Sequence, residues 1–104
     1  MLDISEGSIV IENGTNAYTF KVTQGSNTAD NIDPATIFEI YGTTTSNTIT
    51  VSANLVKDGT PLPVKIVLNG VNIDYGCAFR ITAEAGAVNL VLAGLLIALG
   101  TSLK

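Results

Sequence analysis

Two stretches of the sequence, KIVLNGVNID (residues 65–74) and NLVLAGLLIA (residues 89–98), align without a gap at an offset of 24 residues. The alignment places Gly70 on Gly94, and at the positions expected to point inward it pairs apolar residues: Ile66 with Leu90, Leu68 with Leu92, Val71 with Leu95 and Ile73 with Ile97. A fixed period in the twenties is typical of stacked-coil architectures, in which equivalent positions lie above one another at the strand spacing of about 4.8 Å. The repeat therefore predicts a parallel β-helix of about three to four coils, with Leu68 beside Leu92.

The rest of the chain also has the pattern of strands. Short segments that alternate apolar and polar residues, or are rich in β-branched residues, recur between turn-forming segments: they include residues 8–12, 18–23, 37–41, 48–52, 64–68, 71–74, 77–81, 88–92 and 95–99. We expect residues 24–33 to form a flexible loop and Asp33-Pro34 to begin a single helical turn. The alternative fold is an antiparallel β-sandwich, because two strands of similar composition can match by chance.

Composition limits the classes of function. The 104 residues fit one domain, and a hydrophobic fraction of 46% is enough for a core. The net charge is −4, and the five Lys and Arg residues are scattered, which argues against binding to nucleic acid. The chain has no histidine, so Ser-His and Cys-His nucleophile systems are excluded. The single cysteine, Cys77, cannot form an internal disulfide, and we interpret it as a buried filler.

Several stretches together resemble one known family: LDIS (2–5), GTTTSNTITVS (42–52), KIVLNGVNID (65–74), and GCAFRI (76–81) followed by VNLVLAG (88–94). They are similar to a bacterial carbohydrate-binding domain family of the polygalacturonate-binding type, which is built as a right-handed parallel β-helix. The resemblance implies a right-handed coil, a secreted or cell-surface location and an acidic polysaccharide as partner. It also implies that calcium could bridge carboxylates of such a partner. Members of the family are typically longer, so this chain resembles a short or truncated version.

The segment after Gly94 departs from the family pattern. LLIAL (95–99) places Leu96 and Ala98 where Asn72 and Asp74 stand one repeat earlier. Because apolar edges and faces promote association, we expect a homo-oligomer contact in this coil. The residues predicted for it are Leu92, Leu95, Leu96, Ile97 and Leu99. The alternative is that the amino-terminal segment of the same chain covers Leu96 and Ala98. The apolar run 87–99 is 13 residues long, shorter than the ~20 that a membrane-spanning helix requires.

Candidate ligand-binding residues lie within the first repeat and directly after it. Asn69, Asn72 and Asp74 carry side-chain oxygens, and Tyr75 is the best-placed aromatic for stacking on a sugar, with Tyr18 and Tyr41 as further candidates. The alternative is that these residues are solvated strand edges and a turn tyrosine. Asp30, Asp33 and Asp74 are weak candidates for calcium ligands, because they lack the regular DxDxDG spacing.

These observations favour a single domain over residues 1–104, with an irregular amino-terminal coil or cap at 1–36 and stacked coils at 37–104. No export signal is recognisable at the amino terminus. The predicted function is a non-catalytic carbohydrate-binding module. The alternative is a structural, self-associating β-solenoid without a small ligand. A polysaccharide lyase is disfavoured because Arg80, the only arginine, has no acidic pair near it in sequence.

Overall fold

The computed structural model describes residues 2–73, 79–82, 85–93 and 96–97. This part of the chain is all-β, with a single 3-10 turn at Ile4–Glu6. In chain order its strands are β1 (Leu2–Asp3), β2 (Ile9–Asn13), β3 (Phe20–Gln24), β4 (Asn27–Ile32), β5 (Ile37–Tyr41), β6 (Thr43–Thr44), β7 (Ile49–Val51), β8 (Leu55–Lys57), β9 (Thr60–Leu62), β10 (Val64–Asn69), β11 (Asn72–Ile73), β12 (Phe79–Ile81), β13 (Val88–Ala93) and β14 (Leu96–Ile97).

The largest parallel sheet confirms the register predicted from the repeat. Its strand order is β1-β5-β10-β13, and every adjacent pair is parallel. Strands β10 and β13 pair from Val64 with Val88 to Asn69 with Ala93, so Leu68 lies beside Leu92. The 24-residue offset thus corresponds to one step across the sheet.

Two further sets of parallel pairs accompany this sheet. Strand β11 pairs with β6 and β14, and β7 pairs with β2 and β12. The chain therefore visits the three sheets in the same order twice, first through β5, β6 and β7 and then through β10, β11 and β12. These parallel pairs differ from those of an antiparallel sandwich, in which neighbouring strands run in opposite directions, although the five-stranded sheet also contains the antiparallel pairs β2–β3 and β3–β4.

Antiparallel strands interrupt the parallel pattern at two places. Strands β3 and β4 extend the β2 edge of the five-stranded sheet, and β8 pairs with β9 in a separate hairpin. The predicted loop at 24–33 is therefore mostly strand, with a two-residue turn at Gly25-Ser26 between Gln24 and its partner Asn27. Strand β4 could not be predicted from the sequence, because all of its residues except Ile32 are exposed and it therefore has no buried apolar face.

The β8–β9 hairpin has a turn whose residues match its backbone. Asp58 and Gly59 have φ angles of 52° and 77°. Two successive positive φ values are typical of a type I′ turn, for which Asp-Gly is a preferred sequence. Near the start of β5, by contrast, the helical turn expected at Asp33-Pro34 is a simple turn closed by the Thr36 N–H, which donates to the Asp33 carbonyl at 3.0 Å.

The core lies between the sheets. Alternate residues of β5 and β10 point into it, and Ile40, Ile66 and Leu68 are at most 1% exposed. Phe20 of β3 is also fully buried, and its ring packs edge-on against Phe38 with centroids 5.9 Å apart. The β3–β4 hairpin thus contributes Phe20 to the core beside Phe38 of β5.

The predicted boundary at residue 37 does not coincide with the limit of the parallel sheets. Strand β1 pairs with β5, with Leu2 opposite Ile40, and β2 pairs with β7, with Ile9 opposite Ile49. Residues 2–13 thus already belong to the parallel pattern, and the irregular element of the first 36 residues is the β3–β4 extension. Within the described residues, none of the helical structure is long and apolar enough to cross a membrane.

Candidate functional site

The outward side of the four-stranded sheet is the best candidate site. Because side chains alternate along a strand, the residues between the buried positions of β5, β10 and β13 point away from the core. We call this surface the central face. It comprises Ile37, Glu39 and Tyr41 of β5, Lys65, Val67 and Asn69 of β10, and Asn89 and Val91 of β13.

Parallel pairing arranges these side chains in rows across the strands. Lys65 is paired with Ile37 on one side and with Asn89 on the other. Val67 is likewise paired with both Glu39 and Val91. Each row therefore combines aliphatic surface with at least one polar or charged group, at the regular spacing of the strands.

A shallow groove of about 230 Å³ runs along one part of the central face. Ile37 and Val91, two of the residues that line it, have exposed fractions of 60% and 55%. The other residues around the groove are Lys65, Ile66, Val67 and Asn89. The groove offers an apolar floor with an ammonium group and an amide at its margin, which suits a ligand with both apolar and polar edges.

One side-chain hydrogen bond crosses the central face. The Asn69 Nδ2 donates to Oε2 of Glu39 over 3.3 Å, between neighbouring strands β10 and β5. Asn69 is exposed, so this bond is made at the surface in competition with water. The amide oxygen of Asn69 remains oriented by the contact and is available as an acceptor for a ligand hydroxyl.

The structure separates the predicted ligand-binding residues. Asn69 ends β10 on the central face, whereas Asn72 begins β11 in a different sheet, after a corner that includes buried Val71. Asp74 and Tyr75 lie outside the described residues. The prediction for the first repeat therefore places one residue, Asn69, on the central face.

The predicted contact residues lie at or beyond the last described strands. The backbone of Leu92 pairs with Leu68 in the four-stranded sheet. Leu96 and Ile97 form β14 and pair with Asn72 and Ile73. Leu95 and Leu99 lie outside the described residues. The self-association of this coil stays a prediction.

Asp30 of β4 is held by hydrogen bonds from Thr15, in the loop that precedes β3, and from its neighbour Asn31. Its Oδ1 accepts from the backbone N–H groups of Thr15 at 3.0 Å and Asn31 at 2.7 Å, and the Thr15 hydroxyl donates to Oδ2. These hydrogen bonds, the one from the Thr15 hydroxyl foremost, lower the pKa of Asp30 below its usual value of 3.8, and the positive charge of Lys21 adds a smaller effect in the same direction. Its carboxylate is thus already engaged by the protein.

Asp33, the other described calcium candidate, also serves its own turn. Its Oδ1 accepts from the backbone N–H of Ala35 at 2.8 Å. Among the residues that the structure describes, no three His, Cys, Asp or Glu side chains gather as a metal-binding group. Asp74, the third candidate, lies outside that set.

Two other predicted features lie away from the central face. Tyr18 is 42% exposed in the loop after β2, and the Lys57 Nζ lies 5.4 Å from the centre of its ring. Arg80 is exposed on β12, where it pairs with Thr50. Neither residue lies in the four-stranded sheet that carries the groove.

Sequence reasoning missed Glu39, Lys65 and Asn89 as site residues. The alternating pattern that marks outward positions was present, because each of the three residues stands between inward apolar residues. The stretches are IFEIY for Glu39, VKIVLN for Lys65 and VNLVLA for Asn89. Solvated residues on any strand give the same alternation, however, so the pattern alone does not single them out. Comparisons with family models, curated proteins and solved structures found no match for this chain.

Proposed function

We propose that the protein is a non-catalytic carbohydrate-binding module that presents the central face of a right-handed parallel β-helix to polysaccharide. Support for the helix comes from the two successive passes through the same three sheets and from the 24-residue step between β10 and β13. A secreted or cell-surface location is part of the same proposal, and it rests on the sequence resemblance.

The observation that carries the binding proposal is the arrangement of the central face. Lys65, Val67 and Asn69 alternate with buried residues along β10, and Asn89 and Val91 continue two of the rows. Sugars present hydroxyl groups around a ring with apolar C–H edges. A regular surface of amides and aliphatic side chains is complementary to both. The exposed ring of Tyr41, which is paired with Asp3 of β1, adds a surface on which a sugar can stack.

An acidic polysaccharide is the preferred ligand class because Lys65 lies at the groove. Its ammonium group can neutralise a sugar carboxylate that approaches the groove margin. Glu39 occupies the next row, where its carboxylate would repel a second sugar carboxylate. A calcium ion bound between these two carboxylates would replace the repulsion with a bridge. Calcium is therefore proposed as a bridge to the ligand and not as a resident cofactor.

Binding of polygalacturonate, measured by calorimetry or affinity electrophoresis with and without calcium, tests the proposal. Lys65→Ala should weaken binding by about 5- to 10-fold, as expected for a partly exposed charge pair worth roughly 1 kcal/mol. Lys57→Ala removes the same charge from the β8–β9 hairpin and serves as the matched control. Equal effects of the two variants, or no binding by the unmodified protein to acidic or neutral polysaccharides, would refute it.

Self-association through the carboxy-terminal coil is the second candidate function. Among the described strands, β13 pairs only with β10, so its other edge faces away from the described sheet. A regular six-residue edge with an exposed valine is suited to pairing with another chain. A protein that binds no polysaccharide but forms a defined oligomer would support this structural role.

Sedimentation of two variants distinguishes this candidate. Val91→Lys places a charge on β13, whereas Ile37→Lys places the same charge at a similarly exposed position on β5, an interior strand of the sheet. If β13 forms the contact, Val91→Lys should shift the protein to monomer and Ile37→Lys should not. A strict monomer at high concentration for the unmodified protein would exclude the contact.

A further inference from the structure

The chain contains two Asn-Gly sequences, Asn13-Gly14 and Asn69-Gly70. In such a pair the backbone nitrogen of the glycine can attack the Cγ of the asparagine side chain, because glycine has no Cβ to hinder the approach. The reaction requires that the side chain and the following peptide rotate into contact. The two sites share the same local sequence, so their different surroundings decide how easily each one reacts.

In Asn13-Gly14, hydrogen bonds hold both of the groups that would react. Oδ1 of Asn13 accepts a hydrogen bond from the backbone N–H of Asn54 at 2.7 Å. The Gly14 N–H, which contains the attacking nitrogen, donates to the Thr19 carbonyl at 2.8 Å. The glycine is also closely packed, since Phe20 and Asp30 oxygens lie 3.0 Å from the position that a Cβ would occupy. Ring closure there must break two hydrogen bonds and displace the neighbouring loop.

Asn69-Gly70 lies at an open corner on the central face. Asn69 and Gly70 are both exposed, and no described atom lies within 4 Å of the place where a Cβ on Gly70 would be. Gly70 has a φ of +70°, a left-handed conformation that leaves the regular strand at this residue. Among the described residues, the Asn69 side chain makes one hydrogen bond, of 3.3 Å, and it is made by Nδ2, the atom that leaves in the reaction.

We propose that Asn69 is a site of spontaneous deamidation that changes the charge of the central face. The Gly70 nitrogen bonds to Cγ of Asn69 and loses its proton, while Nδ2 leaves as ammonia and a five-membered succinimide forms. Water then opens the ring at either carbonyl and yields aspartate or isoaspartate. The net change is the addition of water and the loss of ammonia, with no oxidant or reductant.

The product carries a carboxylate where the amide donated to Glu39. The hydrogen bond to Glu39 is lost, and two negative charges then lie on neighbouring strands at diagonal positions, within reach of each other. The added negative charge should weaken binding of an acidic polysaccharide. This expectation rests on the proposed function, because it assumes that the central face is the binding surface. The modification itself depends only on the geometry of the two Asn-Gly sites.

Peptide mapping by mass spectrometry tests the modification. The intact protein is incubated at mildly alkaline pH, and conversion at residues 13 and 69 is followed in the folded state and in concentrated denaturant. The denatured chain gives the intrinsic rate of each site. Folding should slow Asn13 by about 30-fold, as two ordinary hydrogen bonds must open, and should slow Asn69 by less than about 3-fold. Equal protection of the two sites, or faster conversion of Asn13, would overturn the proposal.

Asn69→Asp reproduces one product and isolates its effect. In polygalacturonate binding without calcium, Asn69→Asp should reduce affinity several-fold, and adding Glu39→Gln should recover part of the loss because it removes one of the two facing charges. If mapping shows conversion at Asn69 while no variant changes binding, the modification stands and its placement in a binding surface is refuted.

Discussion

Asp30 shows how a single exposed side chain organises a loop. Its two carboxylate oxygens receive hydrogen bonds from Thr15, in the loop between β2 and β3, and from its neighbour Asn31 on β4. Asn31 itself adopts a φ of 56°, and its Oδ1 accepts from the Asn16 backbone N–H at 3.1 Å. Two adjacent side chains therefore fasten the loop after β2 to the outermost strand.

The lowered pKa of Asp30 predicts a pH-dependent contribution to stability. The folded state prefers the ionised carboxylate, so the contribution is complete above the usual carboxyl pKa and disappears as pH falls through the lowered value. Asp30→Asn should therefore destabilise the protein near neutral pH, and the difference from the unmodified protein should vanish in acid. Denaturant unfolding at a series of pH values measures that difference.

Thr15→Val provides the control for this prediction. It removes the hydroxyl donor to Asp30 while keeping the shape of the side chain nearly constant. If the hydrogen bond is the cause, the double variant should lose less stability than the sum of the two single variants. A loss for Asp30→Asn that is the same at every pH would contradict the explanation.

At the scale of the strand, β5 places two isoleucines in opposite environments. Ile37 is 60% exposed, whereas Ile40 is fully buried. Ile40→Val should lower the free energy of unfolding by about 0.5–1.5 kcal/mol, because it removes a buried methylene and leaves a small cavity. Ile37→Val should change it by less than about 0.5 kcal/mol. Urea unfolding of both variants checks the inward and outward assignment, and equal losses would show that it is wrong.

Strand alternation also explains which elements could be predicted from the sequence. Residues 37–41 were predicted as a strand with the bounds that β5 has, and β10 and β13 each extend one residue beyond their predicted ends. Strands β5 and β10 bury every second side chain, and in β13 the half-buried Val88 and Leu90 alternate with the exposed Asn89 and Val91, which leaves a clear pattern. Strand β4 has no such pattern, and β8 and β9 are short strands whose residues are mostly exposed, so they lack it as well.

The candidate site was harder to predict than the strands that carry it. Asn69 was identified because it lies on one stretch with Asn72 and Asp74, whose side chains also carry oxygens, but Lys65 and Asn89 are ordinary outward residues in the sequence. Their significance comes from the pairing of Lys65 with Ile37 and Asn89 across three strands. Proximity between residues 37, 65 and 89 is a property of the sheet, so inspection of any single segment misses it.

At the scale of the whole molecule, the two ends of the parallel stack differ. The β3–β4 hairpin covers the core at the first end, where Phe20 packs on Phe38 and exposed polar residues form most of the outer strand β4. The Gln24 Nε2 also donates to the Asp3 carbonyl at 2.6 Å, beside the edge of β1. A bulge between Phe20 and Val22 further disrupts this edge for pairing with another chain. The first end is therefore the protected one, which directs the self-association hypothesis to β13.

The stacking of successive segments predicts where a covalent cross-link can form. Val67 and Val91 are paired neighbours on parallel strands and both point outward. In a Cys77→Ser background, Val67→Cys with Val91→Cys should oxidise to an intramolecular disulfide, because paired strand positions lie within the Cα separation that a disulfide permits. Closing a loop of this length should stabilise the fold by up to about 3 kcal/mol in the chain-entropy account.

Displacing one cysteine along the strand provides the control for the cross-link. Lys65→Cys with Val91→Cys keeps both residues on the same face but shifts them out of register, since Lys65 pairs with Asn89. That variant should oxidise far more slowly, and its disulfide should destabilise the fold because the strands must slide to form it. Non-reducing gels and thiol titration under native conditions measure both reactions. Equal yields from the two variants would mean that β10 and β13 are not fixed in the 24-residue register, and both the parallel stack and the central face built on it would then be wrong.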